Sequence, residues 1–105
     1  MKLVFAIVGN DDAHIVIPEL MREGFSATKL ASSGGFLHAG NVTFMIGVED
    51  GRLDGLKELL GSFCKKRKQI VPVSYGEGFS AGVPAEVTVG GATLFVLDVD
   101  SFEKL

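Results

Sequence analysis

The apolar positions of this chain fall into short runs and one stripe, separated by glycines and acidic residues. Residues 3–8, Leu-Val-Phe-Ala-Ile-Val, form a continuous apolar run of strand length. That is the pattern of a central strand covered on both faces. Asn10, Asp11 and Asp12 then offer N-caps for a helix to about Glu23, and Gly24 supplies its stop. Pro18 lies inside that helix, where it removes one backbone hydrogen bond and is expected to kink or loosen the preceding turn. Residues 25–33 alternate imperfectly and read as a strand, and residues 34–40 as a glycine-bounded loop. Residues 42–48 read as a second strand, rich in β-branched and aromatic side chains. Beyond Asp50, a candidate cap, Leu53, Leu56, Leu60, Phe63 and Cys64 recur at three- and four-residue spacing. They form one apolar face of a helix predicted over about 52–67. Lys65-Lys66-Arg67-Lys68 would then end that helix, where cations suit the dipole.

Residues 69–74 read as extended and 75–84 as a glycine-rich loop. Residues 86–89 and 93–99 read as strands separated by Gly90-Gly91, a tight-turn signal. The tail, 101–105, has room for one further helical turn. The core order is strand, helix, strand, strand, helix, strand. This predicts an α+β, ferredoxin-like (βαββαβ) domain over residues 1–105, with an extra hairpin segment before the last strand. Two helices cover only one face of such a sheet. Yet residues 3–8 and 94–97 are apolar at consecutive positions, so both faces are apolar. Further copies of the sheet are the simplest cover for the second face, which points to an oligomer of unspecified size.

Composition supports that expectation. The chain is 47% hydrophobic over only 105 residues, more apolar surface than a small monomer readily hides. A net charge of −3 gives no global field to gather nucleic acid. Cys64 is the one cysteine, which excludes an internal disulfide and fits a core thiol in a reducing compartment. The N-terminal apolar run stops at Gly9-Asn10-Asp11-Asp12 without a small-residue cleavage pattern. No apolar segment approaches a membrane span of about 20 residues. A cytoplasmic location without membrane attachment is the expectation.

Candidate chemistry is sparse. Gly76-x-Gly78 and Gly90-Gly91 match neither the P-loop nor a strand–GxGxxG–helix unit. His14 and His38 are the only histidines, so a structural zinc site within one chain is not expected. The neighbouring acids Glu49-Asp50 alternate faces along a strand and form no carboxylate dyad. No cofactor and no catalytic residue are expected. A small enzyme using His38 or His14 is the competing class, and an RNA-recognition domain conflicts with the acidic charge and the missing aromatic–glycine pattern. Phe36 and Leu37 stand out as adjacent apolar residues in a glycine-flanked loop, placed for a subunit contact or for a base platform.

The stretch from Phe25 through Asn41, FSATKLASSGGFLHAGN, resembles the signature of the cyclic di-AMP receptor family of PII-like signal-transduction proteins. Met45-Ile46-Gly47-Val48-Glu49-Asp50 and the stretch VGGATLFVL at 89–97 resemble it too, in order and in register. The resemblance implies a homotrimer of ferredoxin-like subunits with inward-facing sheets, binding cyclic di-AMP at clefts between subunits. It implies site residues Ala27, Thr28, Gly35, Phe36, Leu37, Asn41, Gly47 and Gly91. Thr28 and the Ala27 backbone would meet a phosphate, and Phe36 and Leu37 would pack on an adenine. Asn41 would read an adenine edge, Gly47 would allow close backbone approach, and Gly91 would lie near a phosphate on the neighbouring chain. Mobile loops near 34–41 and 75–84 would relay occupancy to an unidentified protein partner. Ser26 stands where family members often carry an arginine, so a phosphate there lacks its strongest charge-assisted partner. A PII-like sensor of another nucleotide, such as ATP or AMP, is the alternative.

Overall fold

The apolar runs become strands of one antiparallel sheet, and the apolar stripe becomes a helix laid on it. The computed structural model describes residues 1–31, 40–73 and 83–105, with side chains for all of these except 69–73, 83–87 and 89. The chain begins with β1 (Lys2–Gly9) and α1 (Asn10–Arg22). Strands β2 (Ser26–Leu30) and β3 (Asn41–Val48) follow. A single 3-10 turn, Asp50–Arg52, leads into α2 (Leu53–Phe63). Then come β4 (Arg67–Val73), β5 (Val83–Val89) and β6 (Ala92–Asp98).

The main sheet has the strand order β2-β3-β1-β6, every neighbouring pair antiparallel. With two helices on one face, this small α+β arrangement is compatible with a ferredoxin-like fold. Period two along the strands decides what each face holds. Val4, Ala6 and Val8 of β1 and Phe44, Ile46 and Val48 of β3 turn to the helices and are buried. They pack with Val16 and Leu20 of α1 and with Leu56, Leu60 and Cys64 at the end of α2. Each large side chain sealed here contributes roughly 1.5–3 kcal/mol relative to exposure.

The other face carries Leu3, Phe5 and Ile7, aligned by register with Gly47, Met45 and Thr43 on one side and Leu97, Phe95 and Thr93 on the other. Among the described residues no helix lies over it. Phe95 and Leu97 are 48% and 46% exposed. Leu3, Phe5, Ile7 and Met45 are half-buried and Thr43 is buried, so this second face is most open along β6. The ends of β1 and β6 lie together: Lys2 pairs in register with Asp98, and their side chains form an ion pair. The Val99 N–H donates to the Met1 carbonyl at 3.2 Å.

Several boundaries differ from the sequence reading, each for a local reason. Helix α2 ends at Phe63, not near Arg67, because Cys64 leaves helical geometry (φ −115, ψ 40) after its N–H bonds to the Leu60 carbonyl. The basic run is therefore no helix end: Arg67 and Lys68 open β4. Gly9 occupies the N-cap of α1 and Asn10 is its first residue, with Asp11 and Asp12 in the first turn. The helix continues past Pro18 to Arg22. Gly90-Gly91 is no hairpin turn, since β5 pairs with β4 in a separate two-stranded sheet while β6 joins β1. Both glycines have positive φ, 84° and 82°, and redirect the chain from one sheet into the other. The tail 101–105 adds no helical turn.

Candidate functional site

Strand β2 is the edge of the main sheet, and its pairing with β3 fixes which expected site residues meet. Thr28 lies opposite Met45, and Ser26 opposite Gly47. Residues directly opposite share a face. Thr28 and Gly47 are therefore diagonal neighbours on the uncovered face, and Asn41 follows on that same face at the start of β3. Counted along β3 at about 3.4 Å per residue, the strip from Gly47 to Asn41 is about 20 Å long. Ala27 lies opposite the buried Ile46, and Lys29 opposite Phe44, so both belong to the helix side of the edge strand. Thr28, Asn41 and Gly47 are all exposed. The Met1 methyl lies 3.5 Å from where a Cβ on Gly47 would stand, so close approach to Gly47 displaces one flexible side chain.

At the Asn41 end the strip opens into two cavities. The larger, about 640 Å³, is lined by Asn41 and Gly91 together with Asn10, Asp12, Lys66 and Arg67. The smaller, about 390 Å³, is bordered by Asn41, Asn10, Lys29 and Gly40. Asn41 is thus in the wall of both. The Asn10 N–H donates to the Gly40 carbonyl at 2.6 Å, tying the start of α1 to the entry of β3. Ala27, Thr28 and Gly47 line neither cavity. Gly35, Phe36 and Leu37 lie outside the described residues, as does most of the glycine-rich stretch 75–84.

Three charged residues at the larger cavity escaped the sequence reading. Asp12, taken as a possible cap, is a buried carboxylate paired with Arg67, Oδ1 to Nη2 at 3.2 Å. Lys66 and Arg67, taken as a solvated helix end, stand at the cavity wall. The clue available was the coincidence of an acidic helix start with a basic run, but no linear pattern pairs positions so far apart. Nearby, burial pushes the Cys64 thiol up to about 11, with Asp12 adding to the rise and Arg67 opposing it. That thiol is buried in the core, and the upward shift disfavours its thiolate. His14 is exposed on α1, and among the described residues no group of His, Cys, Asp and Glu could hold a metal ion. No helix among the described residues is long and apolar enough to cross a membrane.

Thr28, Asn41 and Gly47 thus lie along one sheet face, and the cavity at its Asn41 end is lined by two acids, Asp11 and Asp12, and two cations, Lys66 and Arg67. The chain belongs to the cyclic-di-AMP receptor family, which it matches over residues 1–105. Among solved structures it resembles a functionally unknown protein from Pediococcus pentosaceus, at 39% identity and a TM-score of 0.76. That match covers 99% of this chain and 96% of the other.

Proposed function

We propose that this chain is a receptor for cyclic di-AMP, binding it without chemical change at clefts between the subunits of a homotrimer. The observation that carries the reading is the family match across the whole chain. It is supported by Thr28, Asn41 and Gly47 sharing the sheet face opposite α1 and α2. In this reading Thr28 and the Ala27 backbone hold a phosphate. Gly35, Phe36 and Leu37 form the adenine platform, and Asn41 reads the base edge. Gly47 admits close approach, and Gly91 meets a phosphate across the subunit boundary. Copies of the chain cover the apolar face, and the loops flanking the site carry occupancy to a protein partner. That relay requires ligand and partner to favour different loop states. The whole of 1–105 acts as one PII-like domain in the cytoplasm.

Calorimetric titration with cyclic di-AMP, cyclic di-GMP and ATP tests the reading. Saturable heat with cyclic di-AMP, ahead of the other two, is the expected result. No heat and no melting shift at high micromolar ligand would sink it. One observation keeps a second ligand in view: Ser26 sits opposite Gly47, beside Thr28, and brings no charge to a phosphate. A PII-like sensor of ATP or AMP would reverse the affinity order in the same titration. Ser26→Arg is expected to tighten cyclic di-AMP binding by about tenfold, the scale of one added charge-assisted hydrogen bond.

A further inference from the structure

At its root the β4–β5 hairpin meets the start of α1 through a small cluster around Arg67. Asp12, in the first turn of α1, is only 3% exposed at its side chain. Arg67, the first residue of β4, reaches it with Nη2 and donates through Nη1 to the Lys65 carbonyl at 3.3 Å. The other strand of the hairpin leaves at Gly90. A Cβ there would collide with the same Lys65 carbonyl and stand 2.7 Å from Arg67 Nη1. One guanidinium thus lies against the start of α1, the link into β4 and the exit from β5. It also forms part of the cavity wall that Asn41 shares. Removing either charge leaves a buried carboxylate without its cation, or an arginine without its anchor.

We propose that Asp12 and Arg67 form a brace, a positioning pair that holds the root of the β4–β5 hairpin against the cavity and couples hairpin order to nucleotide occupancy. The coupling half rests on the cyclic di-AMP reading; the brace itself does not. Coupling is reciprocal: a ligand that favours the braced arrangement is bound more weakly when the brace is gone.

Hydrogen exchange on the full-length chain tests both halves, comparing wild type with Asp12→Asn, Arg67→Gln and the double variant. Without ligand, the non-proline amides of 67–73 and 83–89 are expected to exchange about fivefold faster or more in each single variant. Amides of β1 and β3 should be unchanged, and the double variant no faster than the singles. Hairpin exchange equal to wild type overturns the brace. So does a uniform rise that includes β1 and β3, which would make the pair an ordinary stabilising contact. Arg67 is half exposed, so Arg67→Gln carries the test if Asp12→Asn fails to fold. With saturating cyclic di-AMP, wild-type hairpin amides should slow further, and each variant should bind about fivefold more weakly. Unchanged affinity beside a loosened hairpin overturns the coupling. Absence of binding to wild type would instead sink the cyclic di-AMP reading, and the ligand-free comparison would still decide the brace.

Discussion

The two faces of the main sheet are built from the same strands and finished differently. On the helix side Val4, Ala6, Phe44 and Ile46 are at most 1% exposed. On the other side Phe95 and Leu97 remain almost half exposed, although the residues are as apolar. On the helix side α1 and α2 supply the second layer over β1 and β3, although Val96 of β6 stays 40% exposed. On the open side no helix among the described residues supplies such a layer. Polar site candidates collect along its edge: Thr28 beside Gly47, and Asn41 at the corner. The lesson is that apolar pattern tells which residues want cover, while connectivity tells which of them the chain itself can cover.

The sharpest way to break this comparison is to truncate a phenylalanine on each face. Phe44→Ala should cost about 3–5 kcal/mol in denaturant unfolding, because the cavity forms in a closed layer. Phe95→Ala should cost roughly 1 kcal/mol in a dilute single chain, because half of its surface is already wet. Equal losses in dilute solution would mean that the two faces do not differ as described. Next in size is Phe95→Glu. In the proposed trimer a charge there faces other copies, so native mass should fall from three times 11.1 kDa to a single chain. An unchanged mass would remove the open face from any subunit contact.

The edge strand carries the same comparison at smaller scale. Thr28→Ala should weaken cyclic di-AMP binding by about tenfold, one hydrogen bond to a charged group. Lys29→Ala, on the opposite side of the strand though at the border of the smaller cavity, should weaken binding less than Thr28→Ala; similar losses for both would contradict the assignment of faces. The smallest effect reports the dryness of the helix side. The Cys64 thiol is shifted upward, chiefly by burial, from an ordinary value of 9.0 to about 11. The folded state therefore holds its proton where the unfolded state has released it. The stability this adds is present below pH 9 and is lost as pH rises toward 11. Cys64→Ala should flatten that part of the stability curve relative to wild type. A slope unchanged by the substitution would place the thiol in contact with water.

How much of this was legible in the linear chain depends on the range of the deciding interaction. The main strands and both helices follow from local period, and the strand–helix order already implies an α+β arrangement compatible with a ferredoxin-like fold. That Thr28 and Lys29 face opposite ways needs only the period of two. The end of α2 was misread because cations at 65–68 suit a helix terminus, whereas the chain turns at Cys64 and gives Arg67 to a strand. Gly90-Gly91 carries a hairpin signal, yet β6 goes to β1, whose free edge it fills. That choice is tertiary and invisible in a short window. The Asp12–Arg67 pair is harder still, because its members lie on different elements and each has an ordinary local explanation. Within the site, face and order were readable, while the cavity at Asn41 required the hairpin root to be placed.

The adjacency of Lys2 with Asp98, and of Met1 with Val99, has a use beyond the sheet. The start of β1 and the end of β6 emerge side by side, and residues 101–105 beyond β6 are exposed. A short peptide linker can join them, and new ends can be opened at the exposed Gly24 between α1 and β2. In such a circular permutant β6 and β1 become a covalent hairpin, made early and locally, while β2 starts the polypeptide. The permutant replaces the long closure between β1 and β6 by a local one, and so shows whether that closure governs the rate of folding.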